Sequence, residues 1–280
     1  MARRWLITGA TGLLADYLVE ACRDHGKVTT TARSGGDRRC DLRDAAATRS
    51  LLAEVAPNVV VHAAGLTDVD RCEREPAAAF AANRDTAATM AENLPAAARL
   101  LVISTDQVYG DTPGPHGEDG PAPVNVYGQS KLDGEKAALN HRGAVILRTN
   151  FFGPSRRAGR QSLSDFVVRG LTERHPITLF SDVLFSPLHM ATLAALVVEA
   201  VIRGLAGVFN AGCRDGDSKA NFALAIARHK GLQTQTARIG SSDEVAGRAR
   251  RTHDLRLDVA RLERALGRPM PTLEQEIRKL

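Results

Sequence analysis

Aromatic side chains are scarce in this sequence: one Trp, three Tyr and eight Phe make up 4% of 280 residues. That shortage argues against a sandwich of short aromatic-rich strands. The Ala, Gly, Val and Leu that fill the apolar runs instead suit helices packed tightly on a parallel sheet. Cysteine is equally sparse. Cys22, Cys40, Cys72 and Cys213 stand far apart, without a Cys-x-x-Cys pair or a Cys/His cluster. This excludes a disulfide framework, gives no reason to expect a metal, and fits free thiols in a reducing cytoplasm. Long apolar runs are missing as well. The most hydrophobic late segment, Ala191 to Ile202, is too short to span a bilayer and contains Glu199, so no membrane contact is expected. The opening Ala2-Arg3-Arg4 faintly resembles a twin-arginine export signal, but Gly9 and Gly12 interrupt the apolar stretch behind it. A first buried strand is the better reading.

Nor is there an excess of one charge. Thirty-seven Lys and Arg are scattered among 32 acidic residues, for a net charge of +5 and a pI near 9.3. The dense basic patches are Arg156, Arg157 and Arg160, then Arg248, Arg250 and Arg251. No aromatic side chains interleave them, which argues against nucleic acid as a partner. They read as solvated faces or as sites for a phosphate-rich ligand.

What is present is a rhythm of alternating periods. Short apolar or β-branched runs at 4–8, 28–32, 59–62, 100–104 and 144–147 alternate with helical patterns at 13–24, 45–55, 76–93 and 127–139. Such an alternation specifies βαβ crossovers and an α/β fold, a Rossmann-type doubly wound parallel sheet. Beyond Gly153 the rhythm breaks. The dinucleotide-binding domain is therefore expected at 1–153, with 182–212 returning to it. A smaller, discontinuous substrate-binding lobe is expected from 154–181 and 213–280.

Gly9-Ala10-Thr11-Gly12-Leu13-Leu14-Ala15 falls where the first strand ends and the first helix begins. Small residues there let backbone approach a pyrophosphate, and helix amides then hold the anion. No Gly-Lys-Ser/Thr follows, so a P-loop is excluded. The second strand ends Thr31-Ala32-Arg33-Ser34, where NAD sites usually place an acid. A cation in that place favours NADPH, with NADH as the alternative.

Tyr127 and Lys131, four residues apart at a helix start, fall on one helical face. A nearby ammonium stabilises a phenolate, so Lys131 is expected to lower the Tyr127 pKa and to hold the nicotinamide ribose. Ser104-Thr105-Asp106 lies at the carboxyl end of a strand, the edge where doubly wound sheets bind ligands. Thr105 is expected to donate to a substrate oxygen while Tyr127 protonates it.

These blocks together resemble the extended short-chain dehydrogenase/reductase family, most closely its dTDP-4-dehydrorhamnose reductase branch. The similarity also takes in Cys40-Asp41-Leu42, His62 to Asp70, Cys72 to Pro76, Asn83, Ser104 to Gly110, Tyr127 to Glu135, Leu147 to Gly153, Phe185-Ser186-Pro187 and Leu255 to Leu266. The resemblance implies a catalytic set of Thr105, Tyr127 and Lys131. It implies cofactor contacts from Gly9, Thr11, Gly12, Leu13, Leu14, Arg33, Asp41, Leu42, Ala63, Ala64, Gly65, Ser104 and Asn150, with Asp41 accepting from the adenine. Thr67, Thr105, Asp106, Gln107 and Phe151 would meet the substrate, a nucleotide-linked sugar, and a homodimer is usual in such families. Related dehydratases carry Asp-Glu after the Thr, whereas Gln107 cannot exchange a proton at neutral pH, so reduction is favoured over dehydration. Gln107 and Phe151 also replace residues that are usually an aromatic and a Trp in the reductases. The stretch Arg250 to Asp258 lacks the family's Pro. Two alternatives stay open: an NADP-binding regulatory subunit like that of methionine adenosyltransferase, and an epimerase that retains its NAD.

Overall fold

The computed structural model describes residues 3–280; Ala2, where the export-signal comparison begins, lies outside them. Five strands follow the expected alternation, β1 (Arg3–Thr8), β2 (Gly26–Ala32), β4 (Val59–His62), β5 (Arg99–Thr105) and β6 (Val145–Thr149), and a short β3 (Arg38–Arg39) follows β2 directly. With the strand Gly207–Ala211 they form one seven-stranded sheet. Its order is Gly207–Ala211, β6, β5, β4, β1, β2, β3, and every pairing is parallel. The Rossmann-type reading therefore holds. The order reverses beside β1, so the carboxyl ends of β1 and β4 frame the crevice in which such sheets bind ligands.

Both faces of the sheet are buried. Trp5, Ile7, Val61, Leu101, Val145 and Leu147 meet helix α1 (Ala15–Arg23) and the helix Met190–Ile202 on one side. Leu6, Val60, Leu100, Val102 and Ile146 meet the helices Ala45–Val55 and Thr86–Asn93 on the other. The helix expected over 76–93 is present, but residues Ala81–Asp85 form a π-helical turn inside it. A π turn of this kind recurs at functional sites, and this one carries Asn83.

A second, smaller core gathers Phe152, Val167, Leu171, Phe185, Phe222, Ile226, Leu255 and Ile277 around three minor sheets. Leu257, Val259, Leu262, Leu266 and Met270 instead pack into the main sheet's core. The chain after 213 thus serves both cores.

Candidate active site

The cleft is founded on glycine geometry. Gly9 ends β1 with φ +77°, and a Cβ there would stand 2.8 Å from the Ala63 carbonyl oxygen, so only glycine fits. The Gly12 amide closes the turn on the Gly9 carbonyl at 2.8 Å. Helix α1 then starts without a side-chain cap, which leaves its first amides available to an anion. Above this turn opens a cleft of about 480 Å³, within the usual span for small-molecule sites. A dinucleotide fits the character of this cradle, since backbone lies where any larger side chain would block a pyrophosphate.

Every residue expected to hold the cofactor lines this cleft: Gly9, Thr11, Gly12, Leu13, Leu14, Arg33, Asp41, Leu42, Ala63, Ala64, Gly65, Ser104, Tyr127, Lys131 and Asn150. Thr67, Thr105 and Phe151 from the expected substrate set line it too. Asp106 and Gln107 do not; they sit behind Thr105 on a short 3-10 turn. Arg43 and Arg71 also reach the wall without having been singled out in the sequence, and Arg160 does so from a basic patch read as a solvated face or a site for a phosphate-rich ligand.

A buried relay supports the end of β4. Burial and the nearby Lys131 push the His62 imidazole down to about 3, so the ring is neutral. The Thr86 hydroxyl gives its proton to the Ala82 carbonyl at 2.7 Å and therefore accepts from His62 Nε2 at 3.1 Å. His62 Nδ1 then accepts from Thr8 at 3.1 Å, and the Thr8 oxygen accepts the Ala63 and Ala64 amides, both at 3.1 Å. The loop Ala63–Gly65 is thereby fixed against the glycine turn.

Asn83 ties that loop to the helix Val126–Ala138. Its Oδ1 accepts the Leu66 amide at 2.8 Å, and its Nδ2 donates to Leu66 O at 3.0 Å and to Ser130 Oγ at 2.9 Å. A Cβ at Gly134 would lie 2.4 Å from the Asn83 carbonyl, and one at Gly128 would lie 2.1 Å from that of Gln107. The two glycines let the helix settle directly onto its neighbours. Asn125 caps it by accepting the Gly128 amide at 2.8 Å. Sequence spacing singled out Tyr127 and Lys131 on this helix, but the only signal for Asn83 was its place in the family-like blocks.

At the second strand's end Arg33 is exposed, lines the cleft, and makes no hydrogen bond or ion pair with another described residue. Arg38 is engaged with Glu54 at 2.5 Å. Asp41 is clasped by Arg43, whose Nε and Nη2 reach its two carboxylate oxygens at 2.9 and 2.5 Å. That guanidinium holds the Asp41 carboxyl at about 2, so it is ionised and able to accept a further hydrogen bond.

Thr105, Tyr127 and Lys131 are all buried and converge on one wall of the cleft. The Tyr127 ring packs on Cys72 and Ala79, and Tyr127 lines the cleft together with Thr105. Two expectations need correction. Lys131 does not lower the Tyr127 pKa here: burial raises it, and the Asp106 charge adds to the rise. The Lys131 ammonium instead donates to the Ile103 carbonyl at 2.7 Å, and burial pushes it down to about 8 against the pull of Glu135. Nor is the Thr105 proton free for a substrate. It goes to Asp106 Oδ1 at 3.1 Å, while the Thr105 oxygen accepts the Gln107 amide at 3.2 Å. Asp106 is only 1% exposed; burial pushes its carboxyl up to about 6, opposed by Asn150 Nδ2 donating at 2.8 Å.

Beneath this wall Arg148 and Glu135 form a buried bidentate pair, Nη2 to Oε2 at 2.7 Å and Nε to Oε1 at 3.2 Å. Ser104 donates to the same carboxylate, and Arg148 also donates to Tyr109 Oη at 3.0 Å and to Glu118 O at 2.7 Å. The network is closed, so the charges are compensated. The basic patches divide. Arg156 pairs with Glu20 and Arg157 with Asp16 at 2.5 Å, both clamping their loop onto α1. Arg250 pairs with Asp111 and Arg251 with Asp70 at 2.9 Å, while Arg248 lies over the Phe180 ring.

A glycine turn on β1 that faces a Tyr-x-x-x-Lys helix across the end of β5 is the architecture of a short-chain dehydrogenase/reductase. Within that class, the RmlD substrate binding domain model matches residues 3–280, and the chain belongs to that family. It is 31% identical over 306 residues to a dTDP-4-dehydrorhamnose reductase of Sinorhizobium fredii, covering 99% of this chain and 96% of that one. It is 30% identical over 289 residues to methionine adenosyltransferase 2 subunit beta of Pongo abelii, covering 93% and 82%. Among solved structures, a Bacillus anthracis dTDP-4-dehydrorhamnose reductase in complex with NADP superimposes with a TM-score of 0.91. The two are 26% identical, and the match covers 100% of this chain and 98% of that one. No helix among the described residues is long and apolar enough to cross a membrane.

Proposed function

We propose that this chain reduces the 4-keto group of a nucleotide-linked deoxysugar, with NADPH as cofactor and Tyr127 as proton donor. The observation that carries the reading is the convergence of Thr105, Tyr127 and Lys131 on a cleft whose other end is the Gly9–Ala15 turn. The chain is an oxidoreductase whose reduced nicotinamide, when bound, supplies a hydride to the carbonyl carbon. The protein's own groups do the rest. Gly9, Gly12 and the first amides of α1 take the pyrophosphate, and Arg33 takes the additional phosphate that separates NADPH from NADH. Lys131, fixed by Ile103, presents a cation to the ribose. Tyr127, protonated because it is buried, gives its proton to the carbonyl oxygen as the alkoxide forms.

Reduction is favoured over dehydration because Gln107, paired with Asn125 at 3.3 Å, supplies no second carboxyl. We place the cofactor in 1–153 with 182–212, and the choice of sugar in 154–181 and 213–280. The similarity to methionine adenosyltransferase 2 subunit beta supports a second reading, a regulatory subunit that binds the dinucleotide without turnover. Mixing the protein with NADPH and a panel of nucleotide 4-keto sugars, and following reduced-nicotinamide absorbance, separates the two. The reductase consumes NADPH with at least one sugar; binding without oxidation of any sugar supports the regulatory reading instead.

A further inference from the structure

Five cationic side chains line the cleft: Arg33, Arg43, Arg71, Lys131 and Arg160. Arg43 clasps Asp41, the one acid on the lining; Arg71 pairs with Glu75 at 3.0 Å, and Lys131 donates to the Ile103 carbonyl at 2.7 Å. The side chains of Arg33 and Arg160 make no hydrogen bond or ion pair with another described residue. Both guanidinium groups therefore face the cleft uncompensated. NADPH also carries phosphate in two places, the 2′-phosphate of its adenosine and the pyrophosphate that joins its halves.

Arg160 stands on the loop 154–161, and that loop is fastened to the first turns of α1. The Tyr17 hydroxyl donates to the Pro154 carbonyl at 2.8 Å, Arg157 pairs with Asp16 at 2.5 Å, and Arg156 pairs with Glu20 while its guanidinium carbon lies 4.0 Å from the Tyr17 ring centroid. The Arg160 amide donates to the Arg157 carbonyl at 3.2 Å, so Arg160 is tied to the same clamp. Past it, the Ser162 hydroxyl donates to the Gly153 carbonyl at 2.7 Å and closes the loop on itself. Two arginines of this patch are thus engaged on α1, and the third enters the cleft that Leu13, Leu14 and Ala15 line at the start of the same helix.

Resting on the dinucleotide reading of this cleft, we propose that Arg160 is a cofactor-binding residue that pairs with the pyrophosphate. The position of each free arginine decides its partner. Arg33 ends β2, where folds of this kind place the adenosine ribose. Arg160 is held beside α1, whose start takes the pyrophosphate. Backbone amides at a helix start carry only partial charge; a guanidinium adds a full cation and meets two phosphate oxygens at once. The loop leads straight into the segment to which we assign the sugar, so this contact also couples the substrate lobe to the loaded cofactor.

Equilibrium binding followed by calorimetry tests the proposal without turnover. NADPH, NADH and ADP-ribose all contain the pyrophosphate, whereas adenosine 2′-phosphate carries the other phosphate alone. Arg160→Ala should bind the three pyrophosphate ligands about tenfold more weakly and adenosine 2′-phosphate as the wild type does. Arg33→Ala should give the mirror image, weakening NADPH and adenosine 2′-phosphate and sparing NADH and ADP-ribose. Arg160 is exposed, so its replacement leaves the core intact. Tyr17→Phe removes one anchor of the loop without changing charge. It should weaken the same three ligands by less, and add nothing further in combination with Arg160→Ala. Unchanged ADP-ribose affinity in Arg160→Ala overturns the proposal. So does a loss confined to dTDP, titrated alongside, which would put the guanidinium on the sugar nucleotide's diphosphate instead. A wild type that binds neither NADPH nor ADP-ribose would defeat the cofactor reading itself, an outcome seen before any variant is compared.

Discussion

The two walls of the cleft are built by different means. The cofactor wall is backbone: Gly9 pressed against Ala63, an uncapped helix start, and a loop held from below by His62 and Asn83. The opposite side draws side chains from distant parts of the chain. Phe151 follows β6, and Thr67, Thr105, Tyr127 and Arg160 reach the same cleft from other elements. A wall of backbone tolerates little change and serves one cofactor type; a wall of side chains can be rewritten residue by residue. The relatives include a dTDP-4-dehydrorhamnose reductase and a methionine adenosyltransferase 2 subunit beta, and the side-chain wall is the part that such relatives can vary.

The largest effect that would break the comparison is at the seam between the walls. Tyr127→Phe should cut kcat by roughly 10²–10⁴-fold while NADPH binding, followed by fluorescence, changes little. Retained turnover would remove the phenol from the chemistry. Next comes the floor shared by both walls. Arg148→Met leaves Glu135 buried without its partner and should cost about 3–5 kcal/mol in urea unfolding; a loss under about 1 kcal/mol would mean the pair is dispensable. On the cofactor wall, Arg33→Ala should weaken NADPH about tenfold, or about 1.4 kcal/mol, and spare NADH. Equal weakening of both would contradict the phosphate assignment.

The smallest effect concerns stability and pH. The Asp106 carboxyl is raised to about 6 in the folded protein. Its contribution to stability is therefore fully present below its unfolded value and lost as pH rises through about 6. Asp106→Asn should accordingly gain in Tm relative to the wild type at pH 7.5 and gain less, or nothing, at pH 4.5. A Tm difference independent of pH would contradict the raised value.

The same contrast decides what was legible in the sequence. The sheet was readable because its strands are continuous apolar runs buried on both faces, as Val59–His62 is. The glycine turn and the Tyr127–Lys131 spacing were readable because each is a local pattern. The π turn at Ala81–Asp85 was not, since a local widening of the helix leaves the helical pattern over 76–93 intact. The Asp106–Thr105 hydrogen bond was hidden for a related reason: adjacency in sequence does not say which way a hydroxyl points. For Lys131, the four-residue spacing places it on the right face but does not reveal the Ile103 carbonyl that takes one of its ammonium protons. The direction of the Tyr127 shift followed from burial, which spacing does not report.

Delivery of hydride and proton to one sugar carbonyl in this cleft is the step on which the proposed function turns. It is tested most directly by incubating the protein with dTDP-4-dehydrorhamnose and NADPH deuterated at the nicotinamide C4 position that transfers, then locating the label by mass spectrometry and NMR. The expected result is deuterium on carbon 4 of the reduced sugar, one equivalent for each NADPH oxidised. Deuterium remaining wholly on the cofactor, with the sugar unreduced or merely epimerised, would contradict it.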